Sequence, residues 1–257
     1  MAHRIPFRYR AHEVSRLEAF SDVVFGFSLS LIVISLEVPK TYDELMETLR
    51  GVLPFGFCFL IFIGLWLAHH EFFKRYALQD KTTIFLNSVM LFVLLFYIYP
   101  MKFMFVLMAK GLTGHTERMT VAQAQNLFLV YGIGFAAVNW LFAAMYRHAD
   151  RKHAELDLNP VERLDTREKI YDSLFTGAFG VLSIVFAYTY INLAGPIYFL
   201  LFVPKTAVGW IMGVRRGKIE DAMLSPQPPR PDAPHDRPKD THSGGGDRGN
   251  RSAEAIG

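Results

Sequence analysis

Arg16-Leu-Glu-Ala-Phe20-Ser21-Asp22-Val-Val-Phe25-Gly-Phe27-Ser28-Leu-Ser30-Leu31-Ile32-Val-Ile34-Ser35-Leu-Glu37-Val38-Pro39 is the stretch whose reading decides the fold. From Val23 to Val38 it is apolar apart from three serines and Glu37. With Phe20 to Asp22 included it reaches the roughly 20 residues a helix needs to cross hydrocarbon. Yet an Arg and an Asp stand at one end, a Glu at the other, and hydroxyls lie between. A helix that only anchors a chain in lipid has no need of these groups. A helix that lines a wet path does.

The rest of the chain agrees with a membrane setting. Of its 257 residues 51% are hydrophobic and 14% aromatic, with a mean hydropathy of +0.21, too apolar for a soluble domain with a solvated surface. Apolar blocks fall at 20–38, 51–70, 84–104, 121–145, 172–193 and 196–214, each near spanning length. The third continues past Pro100 and Lys102. The last two are separated only by Ala194-Gly195-Pro196, which predicts a tight helical hairpin. The basic N-terminus before an apolar run has the look of a signal peptide. No small-residue cleavage site follows it and further apolar blocks do, so the first run reads as a retained helix. The single Cys58 permits no intrachain disulfide and reads as a packed small hydrophobe.

Basic residues set the orientation. One side holds Arg4, Arg8, Arg10 and Arg16, then Lys74, Arg75 and Lys81, then the cluster from Arg147 to Lys169, then Arg215, Arg216 and Lys218. The other side holds Lys40, Arg50, Lys110 and Arg118, with Lys102 near its edge. The positive-inside rule then predicts an all-α integral membrane bundle of six transmembrane helices with both termini cytoplasmic. Residues 1–15, basic and aromatic, are suited to an anionic membrane surface. Residues 16–218 form the transmembrane domain. Residues 219–257, rich in Pro, Gly, Ser and charge, read as a disordered cytoplasmic tail. The charged 147–170 segment reads as a helical extension of a neighbouring span. Pro54, Pro100 and Pro204 read as kinks, Lys205 as a snorkelling side chain, and Asn139 and Asn192 as interhelical donors.

Two faces emerge on the first helix. At 100° per residue, Phe20, Val23, Phe27, Leu31, Ile34 and Val38 share one face, with Ser30 and Glu37 on its shoulder. Ser21 and Asp22 point nearly the opposite way. The second span ends Trp66-Leu-Ala-His69-His70-Glu-Phe72-Phe73, and Trp66, His69, His70 and Phe73 fall on one helical face. Asn87 opens the third span at the same depth. An Asp near hydrocarbon is costly unless partnered, so Arg16, Ser21, Asp22, His69, His70 and Asn87 are expected to form a polar network. The His-His-Glu run lacks the His-Glu-x-x-His spacing of a helical zinc site and there is no Cys cluster, so no metal is expected. The apolar stripe fits either a bundle core or a pore. In a symmetric oligomer Glu37 would form a carboxylate ring and the stripe a hydrophobic constriction.

Arg16-x-x-x-Phe20-Ser21-Asp22, Trp66-x-x-His69-His70-x-x-Phe73 and Leu86-Asn87 together resemble the transmembrane protein 175 family of potassium channels. The likeness is specific over residues 16 to about 104 and extends by hydropathy and span count to 214. It implies a bacterial-type member, six spans per subunit, assembling as a homotetramer around the first helices in the cell membrane. Family members conduct potassium without the Thr-Val-Gly-Tyr-Gly filter, and this chain lacks that sequence. The resemblance implies a pore lined by Phe27, Leu31 and Ile34, five, nine and twelve residues past Asp22, joined by Ser30. It also implies that Phe20, Ser21 and Asp22, with Arg16 and the span-two histidines, form a structural knot. The chain departs from the family in carrying Phe27 where isoleucine or leucine is usual, and Ser30 where threonine is common.

The expected function is therefore passive potassium-preferring cation conduction, with potassium ions, lipid and other copies of the chain as partners. No cofactor, nucleic-acid partner or enzymatic activity is expected. Two other classes stay open at this point: a proton-coupled transporter using Asp22 and the histidines, and a non-conducting membrane interaction protein working through the 147–170 segment and the tail.

Overall fold

The structure is a computed structural model and describes residues 5–34, 40–42, 45, 46, 49, 52–112 and 119–224. Its described elements are helical throughout: α1 (Arg16–Ile34), α2 (Val52–Tyr76), α3 (Lys81–Leu112), α4 (Val121–Arg151), α5 (Pro160–Thr189), a short α6 (Ile191–Ala194), a 3-10 turn (Pro196–Leu201) and α7 (Phe202–Leu224). Four of them contain segments long and apolar enough to cross a membrane: 55–76, 81–104, 121–151 and 160–189. Glu37, the outer end of the expected first span and the expected tail from 225 onward lie outside the described residues. So do the side chains of Ile34, Pro54, Lys110, Pro204 and Lys205.

Local chemistry explains where the helices start and stop. Thr120 caps α4 and Asn159 caps α5, each in a capping box closed by Gln123 or Glu162 three residues on. Pro160 occupies the first turn of α5, where a missing N–H costs nothing. α2 ends when Ala77 turns left-handed (φ 50°), its N–H bonding the Phe73 carbonyl at 2.8 Å. The 147–170 segment is helical on both sides of a turn over 152–159, so α4 and α5 both continue beyond the apolar blocks. The expected hairpin at Ala194-Gly195-Pro196 is looser than the sequence implies. α5 stops at Thr189, and the chain passes through α6 and the 3-10 turn before α7.

α4 and α5 run back along each other at backbone contact. A Cβ built on Gly180 would lie 2.5 Å from the Gly132 carbonyl oxygen, and one built on Gly132 would lie 2.5 Å from the Gly180 oxygen. Membrane helices gain little from hydrophobic association, so small residues that admit close packing carry the contact. α3 lies against α4 through the Tyr97 hydroxyl, which donates to the Tyr131 carbonyl at 2.7 Å, and Tyr131 in turn donates to the Pro100 carbonyl. Asn139, expected to bond across helices, instead donates to Phe135 of its own helix. The core where α1 to α4 meet is aromatic and aliphatic: Phe25, Phe62, Phe72, Tyr76, Met90 and Phe142 are all buried. Cys58 is buried beside the Met101 carbonyl, as a small hydrophobe would be.

The charged loops gather at one end. The basic N-terminal segment, expected at a membrane surface, is strapped to the protein through residues 5–11. Its Arg10 and Ala11 N–H groups donate to the Lys74 carbonyl. Phe7 packs edge-on against Tyr76 and beneath the Arg75 guanidinium. Arg8 and Arg10 converge on the buried Glu162, with Arg10 Nη2 2.8 Å from Oε2. Composition alone hid these partners because Glu162 is some 150 residues away in sequence. Arg216, also buried, bonds Asp165, Glu220 and the Ile5 carbonyl, tying α7 to α5 and to the N-terminal strap. α7 thus continues to Leu224 with Glu220 buried, past the boundary expected at 218. At this end Asp80 accepts from Thr83 and from His148. Burial alone would raise its carboxyl, and those two partners more than offset it, leaving it below the usual carboxylate value.

Candidate functional site

α1 has two faces of opposite fate. Glu18, Ser21, Phe25 and Ser28, at steps of three and four, are buried against α2 and α3. Phe20, Val23 and Phe27, at the same steps, are 58, 68 and 58% exposed on the other side. Ser30 is exposed and Leu31 half-buried on that side. No neighbouring atom stands within 4 Å of a Cβ built on Gly26. The hydroxyls of Ser28 and Ser30 need no other helix, since they donate to the Val24 and Gly26 carbonyls.

The buried face carries the polar knot. His69 Nε2 lies 2.8 Å from Asn87 Oδ1, Asn87 Nδ2 donates to Ser21 Oγ at 2.9 Å, and Ser21 donates to the Leu17 carbonyl at 2.8 Å. Because a carbonyl oxygen only accepts, Nε2 carries a proton and the whole chain runs in one direction, from α2 through α3 to α1. Ser21, His69 and Asn87 are fully buried. His69 Nδ1 has no hydrogen-bond partner, and the rings of Phe25 and Phe73 flank the imidazole at 5.3 and 4.7 Å. A second pair of bonds lies beside the first. Trp66 Nε1 donates to Asp22 Oδ1 at 2.8 Å, and His70 Nδ1 lies 3.1 Å from Glu18 Oε1. Trp66 and His70 stack with ring centroids 5.7 Å apart.

Of the residues predicted from sequence, Ser21, Asp22, Trp66, His69, His70 and Asn87 come together at the contact of α1, α2 and α3. Arg16 stands exposed at the start of α1, and Phe20 faces outward with Phe27. Glu18 was missed. Its signal was available, because it shares the spacing of Ser21, Phe25 and Ser28, but an acid in a first helical turn reads as a solvated dipole partner. Among the described residues no group of His, Cys, Asp and Glu side chains is arranged to hold a metal.

The contribution of the knot to stability is measurable. Asn87→Ala would orphan the His69 Nε2 donor in a dry interior and remove the bond that Ser21 Oγ accepts, leaving that hydroxyl its own bond to the Leu17 carbonyl. The orphaned donor costs about 1–3 kcal/mol, so the detergent-solubilised protein should melt several degrees lower. An unchanged melting temperature would show that the three helices do not depend on this chain of bonds.

Four apolar helices of spanning length, two of them tied to α1 by a buried polar knot, define a multi-pass helical membrane protein. Comparison with known proteins places it more closely. The sequence profile of the endosomal/lysosomal potassium channel TMEM175 matches residues 16–100. A potassium channel of Marivirga tractuosa is 38% identical over 189 residues, covering 70% of this chain and 76% of the relative. Potassium channel Cha6605_3372 of Chamaesiphon minutus is 26% identical over 66% of this chain and 84% of the relative. Among solved structures, a variant of the potassium channel MtTMEM175 in complex with a Nanobody-MBP fusion protein superposes with a TM-score of 0.74 and 33% identity, over 80% of this chain and 97% of that one. A lysosomal potassium-selective channel TMEM175 homolog from Chamaesiphon minutus shares the fold, with a TM-score of 0.51 and 22% identity over 79% of this chain and 99% of that one. The chain belongs to the TMEM175 family of potassium channels.

Proposed function

We propose that this chain is a potassium-preferring cation channel that conducts passively through a central pore lined by α1 of a homotetramer. Each subunit crosses a bacterial inner membrane six times with both termini in the cytoplasm. Phe27, Ser30, Leu31 and Ile34 face the pore, and Glu37 forms a carboxylate ring at the outer mouth. The observation that carries the reading is the division of α1. One face is buried against α2 and α3 and carries the knot, and the opposite face, including Phe20, Val23, Phe27 and Ser30, is left uncovered within the subunit. Four such faces brought together make an apolar tube with hydroxyls at intervals. A narrow apolar ring gates by dewetting, and an ion passes only when the ring holds water or the ion sheds part of its shell.

The knot supports this reading over proton-coupled transport. Asp22 bonds Trp66 while His69 bonds Asn87, so the acid and the buried histidine belong to separate bonded groups. The flux experiment is direct. Purified protein in liposomes should release potassium well above empty vesicles and faster than sodium, at a neutral and unchanging pH. No flux from a correctly assembled oligomer would defeat the channel reading and leave the family resemblance as one of fold.

A further inference from the structure

The charged end of the bundle contains a cleft of about 280 Å³ between the α4–α5 turn, the first turns of α5 and the end of α7. His153, Leu158, Arg163, Leu164, Arg167 and Ile219 line it, and no carboxylate does among the described residues. Its charge balance is uneven. Arg163 Nε donates to Asp150 Oδ1 at 3.1 Å, and Arg167 Nε lies 3.6 Å from the other oxygen of the same carboxylate. Two guanidinium charges therefore share one negative charge. Each approaches it through Nε, which leaves the terminal N–H groups for another acceptor. Both side chains remain partly open to solvent, at 37 and 48%. His153 is held from its Nδ1 by the Asp150 carbonyl at 2.8 Å. Leu158, Leu164 and Ile219 give the cleft an apolar wall.

Its depth is also informative. The charged run of α5 ends at Asp172, and Arg167 stands six residues before the first position beyond it. At 1.5 Å per residue that is about 9 Å along the helix. The polar headgroup layer is roughly 5–7 Å thick on each side of the hydrocarbon, so the cleft stands at or just outside its outer edge. We propose that this cleft binds a phosphate group carried on an apolar or neutral body, held by Arg163 and Arg167 and seated against Leu158, Leu164 and Ile219. The same chemistry is offered by an anionic lipid headgroup and by a soluble phosphate. Such binding does not depend on conduction.

The test uses the full chain in detergent, titrated separately with short-chain phosphatidylglycerol, phosphatidylcholine of the same chain length and inorganic phosphate, with occupancy read by native mass spectrometry and thermal shift. A charge-assisted bond is worth about 1.5–3 kcal/mol, a tenfold change or more in affinity. Phosphatidylglycerol should thus bind at least about tenfold more tightly than phosphatidylcholine, and Arg163→Gln/Arg167→Gln should remove that preference. Arg151→Gln, which deletes an exposed charge outside the cleft, should keep it. Arginine-dependent binding of inorganic phosphate as well would assign the site to soluble phosphates; binding of the lipid alone would assign it to the membrane. If the double variant fails to assemble, Ile219→Trp fills the cleft without touching its charges and should abolish the same binding. Equal binding of both lipids with no phosphate bound, or binding that survives Ile219→Trp, overturns the proposal.

Discussion

Gly180→Leu is expected to abolish recovery of folded protein. Any side chain at this position begins with a Cβ 2.5 Å from the Gly132 carbonyl oxygen and 3.1 Å from the Ala136 amide nitrogen. Both obstacles are backbone atoms, so no rotamer change relieves them. α4 and α5 must separate by an ångström or more, and the separation spreads to Gly177, where a Cβ would meet Trp140 at 2.5 Å. Dispersion decays within that distance: a gap of 0.5–1 Å forfeits about a quarter to a half of each contact. Overpacking of a soluble core costs about 1–3 kcal/mol where side chains can shift. Here the helix pair itself moves, and the cost should exceed about 4 kcal/mol, the range reached by few single substitutions. Size-exclusion chromatography of a fluorescent fusion reads the result directly. Gly64→Leu is the matched control, since nothing lies within 4 Å of a Cβ at that position. A monodisperse Gly180→Leu protein melting with the Gly64→Leu control would mean that the α4–α5 contact is not close.

This contact also shows what sequence conveys and what it withholds. Membrane class, helical architecture and four of the apolar blocks were legible because hydrophobic block length is a one-dimensional property. The two faces of α1 were legible because 3.6-residue periodicity survives in the string: Phe20, Val23 and Phe27 lie on one side, Ser21 on the other. The polar network around Ser21 and Asp22 was legible for a different reason. A buried hydroxyl and an acid demand polar company, and Trp66, His69, His70 and Asn87 were the polar residues at that depth. Ion pairs between the charged loops and the N-terminal segment were not legible. Nothing local tells Arg8 and Arg10 that Glu162 will face them, or Arg216 that it will close on Asp165 and the Ile5 carbonyl. A run of arginines and aromatics reads the same whether it meets lipid phosphates or a protein carboxylate. Likewise, Gly132 and Gly180 look like ordinary helix-weakening residues until the two backbones are seen to touch.

Phe27→Ala tests the pore assignment, and its expected effect is on conduction rather than on folding. Phe27 is 58% exposed within the subunit, so truncation removes little intramolecular packing and the oligomer should survive. If four copies of α1 surround the pore, the change deletes four phenyl rings from one level. The apolar ring widens, and water occupies it at lower cost. A dewetted constriction opposes an ion chiefly through the free energy of filling it, and each 1.36 kcal/mol removed from a barrier is tenfold in rate. Potassium efflux from liposomes should therefore rise about tenfold or more, with discrimination against sodium reduced. The control must share the exposure and differ in place. Phe92 on α3 is 70% exposed, and Phe92→Ala should leave flux unchanged if that surface meets lipid. Phe27→Trp should act in the opposite sense, narrowing the ring and lowering flux. If Phe27→Ala and Phe92→Ala both conduct like the parent protein, the uncovered face of α1 is packed against lipid or a neighbouring subunit, and the pore runs along another surface. If Phe92→Ala alone raises flux, that surface lies on α3, whose exposed aromatics Phe85, Phe92 and Phe96 then take the place assigned to α1.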